Sequence, residues 1–332
     1  MKKTIIIILS ILIIVACQKD DETIEYKVLD YKEDMALAGF VSNDSIYLCL
    51  TQTKARTFHS AFEPDNCNIN ISDNTSDAIV YEDGNYFCTL TPKQIKLHKT
   101  CYASTGEPFV RDYTEYYYVS HKPIQEGCNY TVSVNHKKYG LIEAQTKMPK
   151  KVNFSIDTLS VNKIIRLYIE GTGGEYYIDT LMPCIEYTLN IEDPVDVQNY
   201  YNLVYDRHYR ITDNLNYYLL YRNPIFETNL GDYGLNNSQH NMSVQGDIFS
   251  DKMFNGQTLT FKFIIPKNDK PIKFKLINLN EDEYKYLITT NKYVLALSDP
   301  FSKPASIYSN VSNNIGIWGA FNSDLIQINI NK

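Results

Sequence analysis

Between Asp34 and Lys147 short runs of β-branched and aromatic residues alternate with polar ones, and turn residues break them at close intervals. That is the pattern of strands that bury one face. Ala36 to Val41, Ser45 to Thr51, Cys67 to Ser72, Tyr86 to Leu90, Tyr130 to Asn135 and Tyr139 to Thr146 read as strands. Asn43-Asp44 and Asp83-Gly84-Asn85 supply turns, because Asn, Asp and Gly tolerate positive φ. The spacing predicts an immunoglobulin-like β-sandwich over residues 34–148. Lys93 to Gly127 interrupts the alternation and reads as an inserted loop carrying Asp112-Tyr113-Thr114-Glu115-Tyr116-Tyr117-Tyr118. Inserted loops on a rigid β scaffold are where binding is placed. Tyr113, Tyr116, Tyr117 and Tyr118 are therefore candidate contacts to a ligand or partner.

Met148-Pro149-Lys150-Lys151 reads as a linker, and residues 149–332 as a second, β-sandwich-like domain with one helix. Its strands are Asn153 to Leu159, Ile164 to Glu170, Tyr176 to Thr180, Ile185 to Glu192, Tyr217 to Tyr221 and Leu259 to Pro266. Glu170-Gly171-Thr172-Gly173-Gly174-Glu175 lacks the Lys-Ser or Lys-Thr pair of a phosphate loop, so a hairpin turn is expected there. Asn223 to Asn255, rich in Asn, Asp, Gly and Ser, reads as a long loop. The helix begins after Asn280, with Glu283 as capping-box partner, Glu281 and Asp282 at the positive end of the dipole, and Tyr284, Leu287 and Ile288 on one face.

The first residues change the picture. Lys2 and Lys3 precede an apolar run from Ile5 to Val15, which is shorter than the roughly twenty residues a spanning helix needs. Ile14-Val15-Ala16-Cys17 closes it as a lipobox, so residues 1–16 are expected to be a signal peptide and Cys17 the lipid attachment site. Several acyl chains anchor stably where one is marginal. Residues 17–33 form the tether, and Gln18-Lys19-Asp20-Asp21-Glu22 on it resembles the surface-export signal of Bacteroidota lipoproteins. That resemblance, carried by Lys19, Asp20, Asp21 and Glu22, implies an outer-membrane protein facing the cell exterior. Loss of Lys2 and Lys3 takes the formal charge from −7 to −9. An acidic chain without a basic stripe is no nucleic-acid binder.

With Cys17 acylated, Cys49, Cys67, Cys88, Cys101, Cys128 and Cys184 remain, either bridged in part, as an exporting compartment allows, or buried as free thiols. No pair has Cys-x-x-Cys spacing. His59, His98, His121, His136, His208 and His240 are scattered singly, so no metal site is expected. Glu192, Asp193 and Asp196 around Pro194 lack an EF-hand loop and read as an Asp-Pro turn rather than a calcium site. There is no Gly-x-Ser-x-Gly elbow, no catalytic residue is assigned and no cofactor is expected, so the chain reads as a non-enzyme. Tyrosine is abundant, 28 residues against one tryptophan. The group Tyr200, Tyr201, Tyr205, Tyr209, Tyr217, Tyr218 and Tyr221 suits a stacking surface, a buried interface, or ordinary half-exposed strand positions.

Asp193-Pro194, Asn199-Tyr200-Tyr201, Phe249-Ser250-Asp251, Phe254-Asn255-Gly256, Tyr284 and Tyr286, Pro304, Ile307 to Val311, and Gly316-Ile317-Trp318-Gly319 occur in that order. This series resembles the Bacteroidota lipoprotein family known as domain of unknown function 4249. Asn313-Asn314 stands where that family usually has Asn-Gly, which predicts positive φ at an asparagine. Trp318 stands where it usually has Phe, which predicts a roomier pocket. Gly316 and Gly319 predict close backbone approach around that aromatic. The resemblance implies no catalytic residues. It implies a gene neighbour encoding a TonB-dependent β-barrel receptor, and hence an accessory or ligand-binding role in nutrient uptake, with a small molecule, glycan or peptide as ligand. An adhesin or structural surface protein is the alternative.

Overall fold

The computed structural model describes residues 33–53, 69–70, 76–102, 108–171, 174–195, 197–205, 215–216, 228–229, 247–267, 271–298, 303 and 305–329. The lipobox with Cys17, the run Lys19 to Glu22, Cys67, Asp196, Tyr209 and Tyr217 to Tyr221 lie outside the described residues. The first half of the chain forms β1 (Met35–Ser42), β2 (Ile46–Gln52), β3 (Ile69–Asn70), β4 (Ser76–Glu82), β5 (Asn85–Thr89), β6 (Thr91–Tyr102), β7 (Pro108–Ser120), β8 (Asn129–His136) and β9 (Gly140–Lys147). The second half forms β10 (Asn153–Gly171), β11 (Gly174–Glu192), β12 (Tyr200–Tyr205), β13 (Leu215–Asn216), β14 (Thr228–Asn229), β15 (Asp247–Ser250), β16 (Thr258–Pro266), β17 (Ile272–Leu279), α1 (Glu281–Ser298) and β18 (Gly316–Ile328). The protein is mainly β, as its patterning predicts.

One large sheet organises the molecule, in the order β14-β15-β12-β17-β18-β1-β2-β7-β6, with β3 on β2. Two smaller sheets, β5-β4-β8-β9 and β13-β10-β11-β16, provide the facing layers. Alternation explains the first layer: β1 buries Met35, Leu37 and Val41, while β8 buries Tyr130, Val132 and Val134. These residues join Leu48, Leu50, Val80, Ile142, Trp318 and Ala320 in the first core. Lettered in chain order, β6-β7-β2-β1 over β5-β4-β8-β9 is the D-E-B-A over C′-C-F-G arrangement of an immunoglobulin sandwich. Tyr130 makes the matching corner, its hydroxyl accepting from the Gln125 N–H at 2.8 Å and donating to Glu82. The second core packs Phe154, Tyr187, Leu189 and Phe261 against Tyr201, Phe249 and Phe274.

The last strand belongs to both halves. β18 runs parallel to β1, from Leu37 opposite Gly316 to Ser42 opposite Phe321, and antiparallel to β17. Trp318 on β18 is fully buried in the first core and donates Nε1–H to the Tyr130 carbonyl at 3.0 Å. Gly316 has φ 112°, and a Cβ there would lie 1.8 Å from the Leu37 carbonyl oxygen, so only glycine lets β18 start beside β1. Asn314 just before it has φ 60°, as the asparagine pair predicts.

Several expectations need correction, among them the loop from Asn223 to Asn255, which holds β14 and β15. The stretch from Lys93 is no loop: β6 and β7 form a hairpin paired from Thr91 opposite Val119 to Tyr102 opposite Pro108. β2 accompanies it only as far as Tyr118, so from Lys93 outward the hairpin is a two-stranded arm among the described residues. β10 and β11 likewise run as one long hairpin through the turn at Gly171 and Gly174, where separate shorter strands were expected. On β10, residues 157–164 are exposed or half-buried on both faces, so no inside–outside alternation marks that arm in the sequence.

Helix α1 covers the opposite face of the large sheet, placing Tyr284, Leu287 and Ile288 on Tyr200, Ile277, Leu279 and Phe321. Asn280 caps it, its Oδ1 accepting from the Glu283 N–H at 3.0 Å. The reciprocal half of the capping box does not form. The Asn280 N–H donates instead to the Ala320 carbonyl at 2.9 Å, and Asn280 Oδ1 also takes the Ala320 N–H at 3.1 Å. The helix start is thereby bonded to β18, and the Glu283 carboxylate lies over Gly319, where a Cβ would meet Oε2 at 1.7 Å.

Candidate functional site

Asp193, Asn199 and Asp251 of the carboxy-terminal motifs converge on one buried seam. Asp193, at the end of β11, points inward. Its Oδ1 accepts from the Tyr201 hydroxyl and from Asn199 Nδ2 at 3.3 Å, and its Oδ2 from the Gly256 N–H at 2.8 Å. Asp251 opens a 3-10 turn (Asp251–Met253), and its Oδ2 accepts the Asn199 N–H at 2.6 Å. Asn199 Oδ1 takes Asn278 Nδ2 at 3.3 Å. Asn278 is the register partner of Asn322, whose Nδ2 donates to Glu126 Oε1 at 2.7 Å. A continuous polar line thus crosses from the second sandwich to the first.

The seam also grips the linker. Asn278 Nδ2 donates to the Lys150 carbonyl at 2.9 Å, Asn322 Nδ2 to the Pro149 carbonyl at 3.4 Å, and the Lys151 N–H to Glu126 Oε2 at 3.1 Å. Lys151 Nζ pairs with Asp324 at 3.0 Å. Between buried Met148 and Val152 the linker runs at the surface, and these asparagines engage the Pro149 and Lys150 carbonyls on its inner side. The signal was available in the sequence: Asn278 and Asn322 occupy inward positions of apolar strands, where asparagine is disfavoured unless its amide is engaged.

Burial governs the electrostatics. It raises the Asp251 carboxyl above the usual range, against the lowering effect of the Asn199 N–H, and nearby Asp193 adds to the rise. Asp251 Oδ1 is buried without a hydrogen-bond partner. Burial, then the bond to Asp193, holds Tyr201 far above an ordinary phenol, so it acts as a donor only. Glu283 is pushed up to about 7 by burial first and the charge of Asp282 second, and its Oε2 has no partner. These groups are arranged to hold loops and layers together. No helix among the described residues is long and apolar enough to cross a membrane. Among the same residues, no group of three or more His, Cys, Asp or Glu could hold a metal ion.

The tyrosines singled out by the sequence fall on β7 with different fates. Tyr118 is buried in the first core, and Tyr117 stacks on Tyr47 with centroids 5.0 Å apart. Tyr116 is 38% exposed near the base of the arm, opposite Gln94. Tyr113 lies further out, opposite Leu97. Of the carboxy-terminal group, Tyr201 is buried in the second core and Tyr200 stacks on Tyr284 at 4.2 Å. Cys49, Cys88, Cys128 and Cys184 are free thiols. The turn at Pro194 sends Asp193 inward and leaves Glu192 exposed.

Two β-sandwiches built on one common sheet and joined by a buried polar seam define the class: a β-sandwich protein whose motif residues serve its architecture. The chain belongs to the family described as domain of unknown function (DUF4249), whose model matches residues 21–326. No curated protein matches the chain.

Proposed function

We propose that this protein is a lipid-anchored outer-membrane protein, displayed outward, that acts as accessory or ligand-binding partner of a TonB-dependent β-barrel transporter in nutrient uptake. The lipobox ending at Cys17, followed at once by Lys19-Asp20-Asp21-Glu22, carries the reading. The architecture supports it. A body whose two cores share a sheet carries the β6–β7 arm, with Tyr113 and Tyr116 on β7, as an element that a membrane partner would engage. From Lys93 opposite Tyr117 to Tyr102 opposite Pro108, that arm extends about 30 Å at ~3.3 Å per residue.

The immunoglobulin-like strand order favours a second reading, an adhesin or structural surface protein. A mild-detergent pull-down of the full-length chain through a carboxy-terminal tag separates the two. A stoichiometric β-barrel partner is the expected result. Recovery of the lipoprotein alone would refute a stable transporter complex.

A further inference from the structure

The start of β1 and the outer end of the β6–β7 arm lie at the same end of the large sheet. β1 and β7 are both antiparallel to β2, with Met35 opposite Gln52 and Tyr118 opposite Leu48. Passing along β2 from Leu48 to Gln52 therefore leads toward the first residue of β1 and, on β7, outward toward Pro108. Glu33 and Asp34 are held at this end: Glu33 pairs with Lys138 at 3.1 Å, and the Asp34 N–H donates to Thr53 Oγ1 at 2.9 Å. The tether joins the body here. Carried along β7, the level of Gln52 falls at Thr114, and the residues from there to Pro108 add about 20 Å at ~3.3 Å each. Two strand-to-strand twists of about 25° leave more than half of that length pointing the same way.

The order of residues along the outer end of the arm is specific. Its last rungs, Tyr102 opposite Pro108, Cys101 opposite Phe109 and Thr100 opposite Val110, carry no charge, and the next pairs Lys99 with Arg111. Like charges directly opposite destabilise a strand pair, so that rung gains from an anion beside it. From Lys93 to Arg111 the sequence has Lys93, Lys96, Lys99 and Arg111 against one carboxylate, Glu107, on a chain of net charge −7. An uncharged end with aromatic residues, backed by a pair of cations, is the order in which a lipid interface takes side chains: tyrosine and apolar groups at the headgroup boundary, Lys and Arg at the phosphates. We propose that the outer rungs of the arm, residues 99–102 and 108–111, dock on the anionic headgroup surface of the membrane that holds Cys17. Residues 17–32 reach at most about 55 Å when extended, so that surface stays within range on the side toward which the arm points. A second copy meeting the arm end to end would instead bring two Lys99–Arg111 rungs together, and they repel. The proposal rests on the lipid-anchor reading.

The test uses the full-length, lipidated chain in vesicles of equal phosphatidylglycerol and phosphatidylethanolamine, with p-benzoylphenylalanine replacing Phe109 and, as control, Leu325. Leu325 is 55% exposed on β18, beyond Phe321, which lies opposite Ser42 at the far end of β1. Irradiation is expected to give lipid adducts at position 109 in about ten times the yield at position 325. Each Lys or Arg beside an anionic surface contributes about five-fold. The combined variant Lys99→Gln, Arg111→Gln should therefore lower the yield at position 109 by about ten-fold or more, with an unchanged urea midpoint, and vesicles of phosphatidylcholine alone should do the same. These vesicles hold no receptor, so a protein occupant predicts no adduct at position 109. That result, adducts with a second copy in place of lipid, or a yield indifferent to vesicle charge and to the variant would overturn the docking. If the native chain does not float with the vesicles, the anchor reading itself fails and the docking with it. If it floats and positions 109 and 325 give equal yields, only the docking fails.

Discussion

Replacing Glu283 with glutamine should remove a fall in stability that the native chain suffers between about pH 4.5 and pH 7. Glu283 sits in the first turn of α1, where the helix dipole favours a carboxylate, yet its Oε2 is buried over the Gly319 backbone without a partner. Burial therefore wins, helped by the charge on Asp282, and moves the carboxyl from its ordinary 4.5 to about 7. A displacement of that size corresponds to about 3 kcal/mol, at ~1.4 kcal/mol per pH unit. The folded protein keeps the proton up to about pH 7, whereas the unfolded chain releases it near 4.5. Between those values the folded state binds more protons, so its stability declines as pH rises. The contribution is fully present below pH 4.5 and gone above about pH 7. Asp251, also raised, adds a slope of the same sign, while Asp44, Asp83 and Glu186, held low by hydrogen bonds, add the opposite one. Urea titrations of both proteins at stepped pH cancel these shared slopes in the difference. Glu283→Gln should gain up to about 3 kcal/mol relative to native chain between pH 5 and pH 8. Parallel curves would refute the argument.

Trp318→Ala removes the largest fully buried side chain and the bond to the Tyr130 carbonyl, and should lower stability by about 3–5 kcal/mol, read from the urea midpoint at constant slope. Asp193→Ala strands the Tyr201 hydroxyl and the Gly256 N–H, which predicts a loss of about 2–4 kcal/mol and faster hydrogen exchange at Gly256. Truncation before Gly316 takes β18 from between β17 and β1, so circular dichroism should find neither sandwich folded; a native-like first sandwich would contradict the shared sheet. Replacing Lys19, Asp20 and Asp21 with alanine should leave the chain lipidated but shielded from proteinase added to intact cells, and undiminished digestion would count against outward display.

How far these features were legible depends on whether the chain carries its own contrast. β8 and β9 each bury one face and leave the other half-buried or exposed with polar residues on it, so their alternation reads directly from the sequence. Asn280 announced the helix start for a similarly local reason. Glu283 misled because its supposed partner, the Asn280 N–H, is taken by Ala320, a residue 40 positions away. β12 and β17 face cores on one side and α1 on the other, which erases the period of two in Tyr200-Tyr201-Asn202-Leu203 and Ile277-Asn278-Leu279. The parallel pairing of β1 with β18 joins the two ends of the described chain and leaves no local trace beyond Gly316. The seam was half visible. Its residues stood out as motifs, but their convergence depends on that sheet.

The same convergence limits what the motifs can do. Asp193 has both oxygens engaged, Asn199 bridges Asp193, Asp251 and Asn278, and Trp318 has its only polar atom on Tyr130. A side chain whose polar atoms are satisfied inside the fold has none left to recognise a ligand. The resemblance motifs therefore identify how the two sandwiches are joined, and recognition has to come from groups the joint holds outward. On the described surface the arm that carries Tyr116 is one such group. Weakening the joint should consequently loosen the loops at Asn199 and Gly256 before it disturbs either core, because the seam bonds both directly while each core is closed by its own apolar packing.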